Sequence, residues 1–197
     1  MAKKVKDTAY LMLSSMIRAR EAGMLTRERM DRMLSAPSFQ EAAKLLTDCG
    51  YEDMSGCDAA GVDAALSRRR AEVFAEMANM CPQGEVVDIF RAKYDYHNLK
   101  TLVKAKAMGV DASHILSGCG RVEAGKLTEC TEGEGGLSSL PADMAEAYTD
   151  AADVLARTGN PQLADFELDR RYFALISALA ESTGSRFLMG YVQVLTD

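Results

Sequence analysis

At 197 residues, 48% hydrophobic and 26% charged, the chain is long enough to bury a core in one large domain or two small ones. A net charge of −6 and a pI near 5.1 set it against nonspecific nucleic-acid binding, which needs a basic surface to displace counterions from phosphate. Four prolines, 7% aromatics and an abundance of Ala, Leu, Met, Glu, Arg and Lys predict an all-α fold.

In chain order, Lys3, Lys4 and Lys6 precede a short apolar run, Ala9 to Leu13. Asp7 interrupts it and no small-residue cleavage site follows, so no secretory leader is expected. Arg18 and Arg20 come too soon after the run for it to span a bilayer. A first helix is predicted from about Asp7 to Ala22, stopped by Gly23 as a left-handed cap. Thr26 is placed to N-cap a second helix, with Leu25 and Met30 as a hydrophobic staple and Pro37 as its limit. Ser38 and Glu41 fit the capping box of a third helix, ahead of Phe39, Ala42, Leu45 and Leu46.

From Asp58 to Met80, Val62, Leu66, Val73, Phe74 and Met77 alternate with charges that include Arg68, Arg69 and Arg70, the pattern of a long amphipathic helix. Pro82 and Gly84 break it. A second long helix is predicted from about Glu85 to Met108, closed by Gly109, with Ile89, Ala92, Tyr96, Leu99 and Val103 as its apolar stripe. The short turn between the two predicts an antiparallel hairpin. Six glycines between Gly118 and Gly136 mark a connector with a mobile TEGEGG end and room for a short helix over Val122 to Cys130. Pro141 to Arg157 and Pro161 to about Thr183 carry helical spacing behind a helix-starting Pro, split by Gly159 and Asn160. An apolar helical segment, Phe187 to Leu195, closes the sequence.

Sliding the sequence by 102 positions places Leu66 on Leu168, Arg68 and Arg69 on Arg170 and Arg171, Phe74 on Ile176 and Phe90 on Val192, without a gap as far as Asp95 on Asp197. This predicts two similar helical units, residues 1–112 and 113–197. The second would stop inside a helix, as in a truncated chain.

The segment RAKYDYHNLKTLVKAKAMG, Arg91 to Gly109, with Asp95, Asn98, Leu99 and Lys100 at its core, resembles the signature of the C-subunit family of the V/A-type ATPases, whose eukaryotic relative is the d subunit. Thr8 to Tyr51, Gly120 to Leu127 continued from Leu140, and LDRRYF from Leu168 are similar to the same family in the same order, so the resemblance covers nearly the whole chain. It implies an all-helical, funnel-shaped socket of three similar units with long helix hairpins, here with the third unit absent. It also implies a non-catalytic, peripheral subunit on the cytoplasmic face of the membrane. There it would join the D and F subunits of the central shaft to the proteolipid rotor ring and transmit torque for ion transport. The alternative is a generic helical-repeat interaction scaffold, although the repeat of about 34 residues and the W-L-G-Y pattern of tetratricopeptide units are absent.

On a helix, Arg91, Asp95, Asn98 and Leu102 share one face, and Lys93, His97, Lys100 and Lys104 share another. Asp95 and Asn98 are expected in an interhelical brace in which Arg68, Arg69 or Arg70 supplies the cation. Residues 86–107 hold five Lys/Arg against two Asp, a local +3, whereas residues 110–169 hold three against twelve Asp/Glu, a local −9. The basic stripe is therefore either a partner-docking surface or a solvated helix face with ordinary ion pairs.

Chemistry is not expected. His97 and Asp95, two positions apart, point in different directions, and His114 near Cys119 has no oxyanion hole or orienting group. The GEGG run at Gly133 to Gly136 has neither a following Lys-Ser/Thr nor a preceding strand, so no nucleotide binds there. Five scattered cysteines without a CxxC pair and only two histidines predict a reduced cytoplasmic protein without a structural metal or cofactor. The twelve methionines are expected mostly as core packing.

Overall fold

The computed structural model describes residues 5–133 and 136–197. Among these, every regular element is helical, with nine α-helices and three short 3-10 turns and no strand, so the fold is all-α. The chain divides into two compact units at the junction of Pro82 and Gln83.

In the unit Val5–Pro82, α1 (Leu11–Glu21) follows a 3-10 turn. Gly23 does not take the left-handed conformation expected of it: α1 is capped by Ala22 in right-handed geometry, and Gly23 N closes an ordinary turn on Arg20 O at 2.9 Å. The two caps read from the sequence form. Thr26 accepts from Arg29 N at 3.2 Å to open α2 (Arg27–Leu34), and Ser38 accepts from Glu41 N at 3.3 Å to open α3 (Phe39–Thr47). Asp58 opens α4 (Ala59–Met80) by accepting from Gly61 N at 2.8 Å. Ala43, Met54 and Ala65 are buried together under Leu46, Tyr51, Val62 and Leu66, and Arg20 pairs with Glu76 to tie α1 to α4.

The unit Gln83–Asp197 is built on α5 (Gly84–Met108). All five residues of its predicted apolar stripe are buried, and Gly109 closes it at φ 66°, where a Cβ would be strained. The glycine-rich stretch after it is not merely a connector. Leu127, Cys130 and Thr131 recur at helical spacing and are buried, so α6 (Ala124–Glu132) docks as a core element, two residues later than predicted at each end. Glu134 and Gly135 of the TEGEGG run lie outside the described residues.

The next two helices, α7 (Ala142–Thr158) and α8 (Pro161–Thr183), form a hairpin through Gly159 and Asn160, and α9 (Arg186–Thr196) follows Gly184. Contacts between α5 and α8 run in opposite directions. Ile89 and Ala92 share a cluster with Ile176 and Ala180, Tyr96 meets the Tyr172 ring at 5.7 Å, Lys100 reaches Asp169, and Lys104 reaches Asp165. The antiparallel partner of α5 inside its unit is thus α8, and α4 belongs to the other unit. Tyr96, Leu99 and Val103 continue the seam into a larger cluster with Leu127, Met144, Ala147, Ala164 and Leu168. No helix among the described residues is long and apolar enough to cross a membrane.

Packing divides the chain at Pro82, whereas the expected repeat divides it by similarity at residue 112. In helix boundaries, α8 begins 102 residues after α4, and α9 begins 102 residues after α5.

Leu168 is fully buried and Leu34 is 86% exposed. Leu168→Ala is therefore expected to lower unfolding free energy by about 2–5 kcal/mol, while Leu34→Ala stays within about 0.5 kcal/mol, both read from urea denaturation midpoints.

Candidate functional site

One face of α5 carries Arg91, Asp95 and Asn98 at i, i+4 and i+7, and together they hold the segment Ser117 to Val122. Asn98 satisfies both backbone groups of Ser117: its Nδ2 donates to the carbonyl oxygen at 2.9 Å and its Oδ1 accepts from the amide at 2.8 Å. The Arg91 guanidinium donates to the Gly120 carbonyl. Asp95 accepts from Val122 N at 3.3 Å and from Arg121 Nε at 2.7 Å. The other side of the same guanidinium donates to Asp143 in the first turn of α7 at 2.9 Å. Arg121 thus links α5 to α7 through one partly buried fork, the geometry at which arginine exceeds a point charge.

Asp95 and Asn98 are both fully buried, so each must be paired to offset its lost hydration. Burial pushes the Asp95 carboxyl above the usual aspartate range, with Arg121 and the Val122 amide pulling the other way. Tyr96, beneath the same cluster, is pushed up to about 12 by burial, with the charge of Asp143 adding to it. Gly120 is fixed by the same geometry, because a Cβ there would overlap Asp95 Oδ1.

This corrects the expected source of the cation. Arg68 pairs with Glu52 at 2.5 Å and Arg69 with Glu72 at 3.3 Å, all in the other unit, and the counter-charge of Asp95 is Arg121. A buried carboxylate takes whichever cation the backbone carries across it, and the loop after α5 crosses its polar face. The available signal was the lone arginine in Cys119-Gly120-Arg121, inside the predicted connector. The corresponding pair in α8 also has a local use: Arg170 bonds Glu167, and Arg171 reaches Glu146 and Asp150 of α7.

The basic stripe is split. Lys100 Nζ lies 2.6 Å from Asp169 and Lys104 Nζ 3.1 Å from Asp165, so two of its members are interhelical braces onto α8. His97 is exposed, with Nε2 3.3 Å from the Ile115 carbonyl oxygen, and the exposed Lys93 places its ammonium 4.8 Å from the Tyr94 ring centroid. Asp95 is turned into the clamp and His97 toward Ile115, so they form no acid–base pair. Among the described residues no group of three His, Cys, Asp or Glu stands together as a metal site would require.

The family described as ATP synthase (C/AC39) subunit matches residues 13–197. The chain is 29% identical over 108 residues to the C subunit of the V-type sodium ATPase of Enterococcus hirae, covering 54% of this chain and 33% of that protein. It is 29% identical over 142 residues to the C subunit of the A-type ATP synthase of Methanocaldococcus jannaschii, covering 66% and 36% respectively. With the C subunit of the A-type ATP synthase of Methanothermobacter thermautotrophicus it shares 26% over 181 residues, covering 86% and 45%. The chain therefore spans less than half the length of these relatives. Comparison with solved structures finds no match.

Two measurements test the clamp. Gly120→Ala is expected to destabilise the fold by roughly 1–3 kcal/mol because its Cβ displaces the Asp95 carboxylate, whereas Gly118→Ala, with open space around it, stays within about 0.5 kcal/mol. The raised carboxyl of Asp95 binds its proton at a higher pH folded than unfolded. Its ionisation therefore opposes folding, and the penalty is relieved as pH falls through the folded value toward the unfolded value of about 3.9. The stability of the wild type relative to Asp95→Asn should accordingly rise as pH is lowered across that window. A flat difference in urea titrations at several pH values would contradict this.

Proposed function

The chain belongs to the ATP synthase (C/AC39) subunit family, and from that premise we propose that it serves as a non-catalytic coupling subunit of a V/A-type rotary ATPase. The observation that carries this reading is the family match over residues 13–197. In this role the protein sits at the cytoplasmic face of the membrane, receives the tip of the central shaft formed by the D and F subunits, and rests on the proteolipid rotor ring, transmitting torque for ion transport. It holds no nucleotide or cofactor of its own.

The internal construction of the unit built on α5 supports the reading. An adaptor that carries torque must be stiff, because a compliant one would absorb the twist. Close-packed helices held by satisfied buried polar contacts supply that stiffness. Here the apolar seam of α5 and α8 is flanked by the Lys100–Asp169 and Lys104–Asp165 pairs, and the Asp95–Arg121–Asp143 fork ties in α7. Arg91, Asn98 and Gly120 complete the brace. The equal spacing of 102 residues between the starts of α4 and α8 and of α5 and α9 supports a duplicated design of two similar units, 1–112 and 113–197. The part of the basic stripe of α5 that does not brace α8, Lys93 and His97, serves as a docking edge for a partner.

The reading is tested by affinity purification of the natural protein that contains this chain, carried out at about 0.1 M salt, where exposed charge contacts persist. Co-elution of the shaft subunits and the rotor ring is the expected result. Elution without either partner would reject the assignment.

A further inference from the structure

The two residues of the α5 stripe that are not paired with α8, Lys93 and His97, border a cleft of about 180 Å³ between α5 and α8, lined by Lys93, Tyr96, His97 and Lys100 with Asp169 and Tyr172. It is smaller than the pockets of roughly 300–1,000 Å³ that enclose whole ligands, and so is scaled to the tip of one side chain. Three of its six lining residues are basic and one is acidic. That acid, Asp169, is already engaged by Lys100 at 2.6 Å, which also fixes one wall of the cleft.

We propose that this cleft is a docking pocket for an acidic side chain of a partner subunit, with Lys93 and His97 as the groups that receive its carboxylate. The proposal rests on the rotary-ATPase reading for the identity of the partner. Its physical basis is local. Lys93 and His97 are exposed one helical turn apart on one face of α5, and the contacts that hold them are an aromatic ring and a carbonyl oxygen rather than a carboxylate. Tyr96 and Tyr172, rings tilted 5.7 Å apart, form a low-dielectric floor that focuses the field of the cations above it. The cleft sets Lys93 and Lys100 against the single carboxylate of Asp169, in a chain of net charge −6, so it selects an acidic partner surface and repels a basic one. Lys100, through Asp169, holds the wall, and Lys93 and His97 make the contact.

The test uses the natural protein with its shaft subunits and rotor ring, comparing Lys93→Glu combined with His97→Gln, the milder Lys93→Gln, and Lys126→Glu on the exposed face of α6 as a charge control. The double variant is expected to bind its partners about tenfold or more weakly at low salt, a loss that shrinks as salt rises, with an unchanged melting temperature. Lys93→Gln should lose less, and Lys126→Glu should bind as the wild type does. Wild-type binding by the double variant would overturn the pocket and leave the rotary reading standing. An equal loss in Lys126→Glu would overturn it as well, by reducing the effect to net charge. Competition by millimolar inorganic phosphate at Lys93 without any effect on partner binding would assign the cleft to a free anion and reject the proposal. Failure of the wild-type protein to bind either partner would remove the rotary reading and the pocket with it.

Discussion

A carboxylate with no access to water has to find a cation or give up its charge, and Asp95 sets that condition at the middle of α5. The chain meets it by folding its next loop back across the helix, so that Arg121 arrives at Asp95 and continues to Asp143. The loop then has to be held in place. Asn98 takes both backbone groups of Ser117, Arg91 takes the Gly120 carbonyl, and position 120 must lack a side chain for the backbone to come this near. The placement of α6 and α7 follows, because both are reached only through this loop.

Around that point the unit is organised by one long antiparallel pair. The α5–α8 seam is apolar along its length, from Ile89 and Ile176 to Leu99 and Leu168, with small residues Ala92, Ala164 and Ala180 allowing close approach. Lysines on α5 meet aspartates on α8 along its edge. These pairs are partly exposed, so each adds little to stability, yet their spacing suits one register of the two helices. The charge separation along the sequence has the same use: the basic stretch lies against a helix from the acidic one. In the proposed role this supplies rigidity, and only the part of the stripe left over after bracing is available to a partner.

Much of this was legible in the sequence because it depends on neighbours in the chain. Helical class, the caps at Thr26 and Ser38, the left-handed glycine at 109 and the buried stripe of α5 are all settled within one or two turns of backbone. The signature around Asp95, Asn98 and Lys100, together with three further segments in the same order, carried the resemblance to the family whose model matches residues 13–197. The sequence also said that Asp95 needed a cation, since its helical phase puts it beside apolar neighbours.

Which cation it received was decided by tertiary structure. Arg68, Arg69 and Arg70 were nearby in the expected hairpin, but the residue that reaches Asp95 is 26 positions further along, in a stretch whose glycines read as punctuation. The same holds for α6, whose few apolar residues became core once the loop was pinned, and for Lys100 and Lys104, which looked like free surface until α8 lay across them. Local backbone preferences determine that helices form and which face is apolar. The pairing of a buried charge depends on which distant segment packing carries to it, and no local pattern encodes that distance.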